Sequence, residues 1–155
     1  MASQSLAKII NEHPFFVGLE PGFCDLVSGC ARNVRFEDGA YLFRRGEPAD
    51  QFFLVREGRV ELQVAAAGGK AITFLTIGDN EVVGLSWLIP PYRWSIDAKA
   101  IGRVRAIGID ARCLRGKCEA DHHLGYELMK RFTSVLIERL NAARLQALDI
   151  YGVPA

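Results

Sequence analysis

The stretch that most limits what this chain can fold into runs from Tyr41 to Val60, YLFRRGEPADQFFLVREGRV. Two short apolar runs, Tyr41-Leu42-Phe43 and Phe52-Phe53-Leu54-Val55, flank a turn built on Gly46-Glu47-Pro48-Ala49-Asp50. A further glycine, Gly58, then closes the hairpin into Val60. Glycine supplies backbone freedom at a reversal and proline fixes one dihedral, so both turns have a physical cause.

The same strand period continues on either side. Asn33-Val34-Arg35-Phe36 alternates, and Glu37-Asp38-Gly39 turns it into the next strand. Val60 to Val64 alternates again, and Gly68-Gly69 makes a hairpin into Ala71–Leu75. Residues 82–95 are irregular and rich in aromatics, and two more strands follow, Ser95 to Ala100 and Val104 to Ile109. Before this region the chain reads as helical up to about Gly29, broken at Pro14 and at Gly18–Gly22. After it the helical period returns, with Asp121 placed to cap a long helix. The expected fold is mainly β with flanking helices. Its strands form a jelly-roll-like barrel, a double-stranded β-helix, over residues 31–109. N-terminal helices occupy 1–30 and C-terminal helices 110–151, all in one domain spanning 1–155.

Composition narrows the function classes. At 155 residues the chain can bury a core without disulfide or metal staples. Its net charge is +1 and no run of Lys or Arg exceeds two, which does not fit a nucleic-acid footprint. The N-terminus lacks a signal peptide's apolar core, and no apolar run approaches a membrane span, so a soluble cytoplasmic protein is expected. Cys24, Cys30, Cys113 and Cys118 match no common zinc spacing and read as reduced thiols rather than a disulfide framework. Phosphate-loop, nucleophile-elbow and HExxH motifs are missing, and His122-His123 reads as a solvated pair, so no enzyme is expected. Glu47 and Asp50 are expected to support turns by accepting from backbone amides.

The pattern from Leu42 to Gly58 resembles the signature of the cyclic-nucleotide-binding domain of the bacterial catabolite-activator and fumarate-nitrate-reductase (Crp/Fnr) regulator superfamily. Phe43 departs from it, because the family usually has a smaller aliphatic residue there. The resemblance implies a regulatory small-molecule sensor. It also implies a stand-alone domain, since the chain stops at Ala155, where a helix-turn-helix reader would begin.

In nucleotide-binding members of this superfamily the cassette reads Phe-Gly-Glu, a short helix, then Arg-Ala-Ala-Thr. The helix N-terminus and the arginine hold the cyclic phosphate, and the glutamate accepts from the ribose hydroxyl. The corresponding stretch here runs from Val83 to Ile96, VGLSWLIPPYRWSI. Gly84 stands in the glycine position, but Leu85 replaces the glutamate and accepts nothing. Counting back from Ile96 puts Tyr92 in the arginine slot, and counting forward from Pro90-Pro91 puts Arg93 there. The helix positions that contact the base in cyclic AMP-dependent relatives fall at Ala143 and Arg144. The candidate ligand residues are therefore Gly84, Leu85, Ser86, Trp87, Tyr92, Arg93, Trp94 and Ser95. Their aromatic rings and one guanidinium suit a planar anionic ligand, a cyclic nucleotide or a related small anion. The other reading is that the tryptophans plug the pocket and leave a ligand-free interaction module. A third is the sensor part of a transcriptional regulator.

The resemblance also implies pairing of two subunits through the long helix. Its apolar stripe includes Phe132, Val135, Leu136, Leu140, Ala143 and Ala147, too wide for the barrel alone to cover. A homodimer that signals through this helix to a protein partner is expected, with no nucleic acid, membrane or metal as partner.

Overall fold

The structure is a computed structural model that describes residues 2–150 together with Gly152. Two helices, α1 (Ala2–Glu12) and α2 (Pro21–Ser28), precede six strands. The strands are β1 (Ala31–Phe36), β2 (Tyr41–Phe43), β3 (Gln51–Ala65), β4 (Ala71–Ile77), β5 (Val82–Val83) and β6 (Asp97–Asp110). Two further helices, α3 (Ala111–Ala120) and α4 (His122–Ile150), complete the jelly-roll fold. Pro21 starts α2 at a position where its missing N–H costs nothing. Asp110 caps α3 by accepting from the Cys113 amide at 2.9 Å. Asp121 caps α4 in the same way, accepting from the His123 and Leu124 amides.

β3 and β6 form the spine of the barrel. They run antiparallel from Gln51↔Asp110 to Glu57↔Arg105, then resume from Arg59↔Ile101 to Gln63↔Asp97. The register shifts between Val55 and Glu57 and again between Glu57 and Arg59; the second shift falls at Gly58, where φ is +121° and a Cβ would stand 2.7 Å from the Arg103 carbonyl oxygen. Only glycine lets the two strands cross this closely. Gly58 therefore bends one long strand rather than ending a hairpin. The two strands expected at 95–100 and 104–109 are likewise one continuous element, β6. β2 does not pair with β3 across the Gly46–Asp50 turn; it pairs with β6 through Tyr41↔Lys99 and Phe43↔Ala98. Jelly-roll topology hands these runs to distant partners, which local spacing does not reveal. The β3–β4 hairpin forms where expected, from Val60↔Ile77 to Ala65↔Ala71.

One contiguous core joins α2, the inner face of the barrel, α3 and the first half of α4. His13 is buried beside Val55 and Arg56 of β3, its Nδ1 accepting from the Phe15 amide at 3.1 Å. The cysteines are not all free. Cys30, just before β1, is bonded to Cys113 in the first turn of α3, with Cα atoms 5.8 Å apart. Cys24 and Cys118 remain free and buried. Spacing along the chain cannot show a pair separated by 83 residues, because the fold alone brings them together.

Candidate functional site

The cassette begins at β5, which pairs with Phe53 and Leu54 of β3. The chain then turns at Gly84, forms a single 3-10 turn over Ser86–Leu88, and returns toward β6 through Pro90 and Pro91. Tyr92 adopts a left-handed backbone, φ +56°. The returning arm is stitched to the signature turn, with the Ala49 amide donating to the Tyr92 carbonyl at 2.6 Å. The Trp94 amide donates to the Glu47 carbonyl at 3.0 Å, and the Gly46 amide to the Trp94 carbonyl at 2.8 Å. Glu47 holds its own turn as expected, accepting from the Arg44 amide at 2.7 Å. Asp50 instead faces Arg115, 3.9 Å away. The Gly-Glu-Pro-Ala motif is therefore the seat on which the cassette rests.

The aromatic residues point inward and fill the space between cassette and barrel. Trp87 is fully buried, stacked on Phe52 at 4.6 Å and edge-on to Phe132 at 5.3 Å. Its indole Nε1 has no hydrogen-bond partner. Trp94 lies stacked on Phe43 and covers Gly84, where a Cβ would meet its ring at 2.6 Å. Leu85 and Ser86 are half-buried and Ser95 is exposed.

Arg93 does not point inward. Its side chain is exposed and donates through Nη1 to the Gly46 carbonyl at 2.8 Å. The guanidinium against the cassette belongs to Arg115 of α3. It sits 4.2 Å from the Tyr92 ring centroid, and its Nη1 donates to the carbonyls of Ala49 and Trp87. Nothing in residues 82–96 signals it; it comes from a helix twenty residues on, in the run RCLRGKC. Such cation–aromatic contacts contribute about 0.5–2 kcal/mol. Arg115 thus pins turn, cassette and α3 to one another.

These features, a jelly roll carrying a Gly-turn seat and a short helical cassette, coincide with a family match. Residues 33–121 match the model of the cyclic nucleotide-binding domain. The chain belongs to that family.

Over 92% of its length it is 24% identical to a CRP-like cAMP-activated global transcriptional regulator of Mycobacterium tuberculosis, of which it covers 62%. It thus spans about three-fifths of that relative's length. Among solved structures it is similar to a protein of Geobacter metallireducens GS-15 named for cyclic nucleotide binding. That likeness has a TM-score of 0.77 at 26% identity and covers 90% of this chain and 98% of the other. The sensor domain of the transcriptional regulator DNR from Pseudomonas aeruginosa shares the fold, with a TM-score of 0.71 at 17% identity over 90% of this chain and 93% of that one.

In this family member the long helix divides into two parts. Leu124, Leu128 and Phe132 are buried against the chain's own barrel, and Val135 packs on the same core. Further along, Arg139 reaches the Val82 carbonyl and Gln146 reaches the Phe74 carbonyl. A second face carries Leu136, Ile137 and Leu140, each about half exposed, with Ala143, Arg144 and Ala147 also exposed. Phe132 and Val135 therefore serve the barrel rather than the outer face. Among the described residues no helix is long and apolar enough to cross a membrane, and no cluster of three His, Cys, Asp or Glu residues could hold a metal ion.

Proposed function

We propose that this chain is a regulatory domain that keeps the cyclic nucleotide-binding fold but fills the nucleotide cassette with its own side chains. The observation that carries this reading is the layer Phe43–Trp94–Gly84, in which aromatic rings occupy the space beneath the cassette. Leu85 offers no acceptor to a ribose hydroxyl, which costs about 1–3 kcal/mol in a buried site. An arginine turned outward, as Arg93 is, removes a charge-assisted contact worth about 1.5–3 kcal/mol. Together these weaken the usual mode of cyclic AMP binding by roughly a hundredfold to ten-thousandfold.

The output runs through α4. Leu136, Leu140, Ala143, Ala147 and Ile150 recur at steps of four and three along its exposed face, the spacing of a two-helix seam. This stripe supports a homodimer formed there, which would read its state to a protein partner. Trp87 touches both Phe52 of the barrel and Phe132 of α4, so the cassette and the helix share one packed contact.

A second reading is supported by the unpartnered Trp87 Nε1. A buried donor without an acceptor suits a ligand with an acceptor group, admitted if Trp94 swings out. Thermal unfolding with millimolar cyclic AMP, cyclic GMP and cyclic di-GMP separates the two. The closed-cassette reading expects no shift in melting temperature. A ligand at a hundred times its dissociation constant adds about 2.7 kcal/mol, and a shift of that size in the wild-type chain, lost in Arg93→Ala, makes it a nucleotide sensor instead.

A further inference from the structure

The Cys30–Cys113 bond lies at the edge of the core, where one of its two sulfurs approaches the surface. Cys30 is buried, but Cys113 is only half-buried. A pocket of about 480 Å³ opens on the pair, bordered by Arg32, Asp50, Gln51 and Arg112. Arg32 and Arg112 favour the approach of a thiolate to the sulfurs, against the opposing charge of Asp50 and of Asp110 at the same rim. The two free cysteines do not share this opening. Both are buried, burial raises both thiols, and Cys118 is pushed up to about 11. They stay protonated and unreactive.

The bond also lies close to the cassette. Cys113 and Arg115 belong to the same helix, two residues apart. Asp50 borders the pocket, stands 3.9 Å from Arg115, and through its carbonyl accepts from the Ala111 amide at 2.9 Å. The disulfide therefore ties the start of β1 to the helix whose arginine holds Ala49, Trp87 and Tyr92 in place.

We propose that Cys30–Cys113 is a thiol–disulfide exchange site for a small dithiol, and that its opening loosens the cassette through Arg115. A thiolate of the dithiol attacks Cys113 Sγ, the more accessible sulfur. The bond to Cys30 breaks, and Cys30 leaves with the electron pair and takes up a proton. The second thiolate of the dithiol then attacks its own sulfur in the mixed disulfide and releases Cys113, which is protonated in turn. The protein gains two electrons and two protons, and the dithiol departs as its disulfide. Nothing in this exchange depends on whether a nucleotide binds.

The test uses the full folded chain and dithiothreitol in native buffer, with iodoacetamide trapping followed by mass spectrometry. Without reductant, Cys30 and Cys113 should resist alkylation; with it, the half-buried Cys113 should be trapped while the buried Cys24 and Cys118 stay unlabelled. Hydrogen exchange of the amides of residues 86–89 and 92–94 should then quicken at least about tenfold, since local opening limits it. In Arg115→Gln, reduction should leave that exchange rate unchanged. The double variant Cys30→Ser with Cys113→Ser should match reduced wild type and ignore dithiothreitol. Alkylation of both cysteines without reductant overturns the proposal. So does a bond that yields only after denaturation, or a reduction that leaves these cassette amides as slow as before.

Discussion

The indole of Trp94 lies flat on the ring of Phe43, with 3.8 Å between centroids and 11° between planes. Phe43 is the residue that departs from the family signature, and Trp94 occupies the end of the cassette. The two rings form one packing unit. Trp94→Ala removes a buried stacked ring and should destabilise the fold by about 3–5 kcal/mol, read from urea unfolding followed by far-ultraviolet circular dichroism. A loss below about 1 kcal/mol would mean that the ring is not part of the core.

Gly84 is the floor of the same unit. Its φ of +105° suits glycine, and a Cβ there would press on Trp94 at 2.6 Å and on Phe52 Cβ at 3.2 Å. Neither neighbour is the free end of a flexible chain. Gly84→Ala should therefore cost about 2–4 kcal/mol, summing backbone strain and overpacking. The control is Gly116→Ala, at a helical position with nothing within 4 Å, which should be neutral or stabilising by up to about 1 kcal/mol.

Substitutions on the outer face of α4 should separate assembly from folding. Leu136→Glu with Leu140→Glu replaces two side chains that are 54% and 47% exposed in the single chain. Sedimentation should show a dimer becoming a monomer, while the melting profile at low concentration stays close to that of wild type. An unchanged sedimentation coefficient would place the subunit contact elsewhere or nowhere.

Much of this was legible in the sequence. Glycine-spaced short runs marked a jelly roll because each turn has a local cause, and Asp121 marked the start of α4 because capping is local too. Strand pairing was less legible. Tyr41–Phe43 and Phe52–Val55 look like two arms of one hairpin, yet β2 crosses to β6, since only the closed barrel decides which edges meet. The same limit hid the bond between Cys30 and Cys113 and the reach of Arg115 into the cassette. The order of Tyr92 and Arg93 was undecidable along the chain; the left-handed turn at Tyr92 turns Trp94 inward and leaves Arg93 outside.

His13 should make stability depend on pH. Burial lowers its pKa from 6.5, Arg56 lowers it further, and the Val55 carbonyl opposes this only in part because Nε2 has no well-formed hydrogen bond. The unfolded chain takes up this proton more readily, so the folded state is penalised only as pH falls below 6.5. Stability should be level above that value and decline beneath it, with a shallower decline in His13→Gln. Equal slopes for the two proteins would assign the effect to carboxylates alone.

On the outer barrel face Arg35 stands directly opposite Arg105, while Glu57 lies 3.5 Å from Arg105 on the other side. Like charges across a strand pair repel. Arg35→Glu converts the repulsion to attraction and should raise stability by about 0.2–1 kcal/mol, a gain that salt erodes. Denaturant midpoints at low and high ionic strength check both statements.

The chain has two tryptophans, and both are buried side chains of the cassette. Trp87 borders α4 through Phe132, and Trp94 borders the signature turn through Phe43. The tryptophan fluorescence of this protein, excited selectively over its four tyrosines, is therefore a spectrum of its cassette. One indole looks toward the helix and the other toward the turn. Replacing either in turn would yield a native optical probe of each boundary, with no label attached.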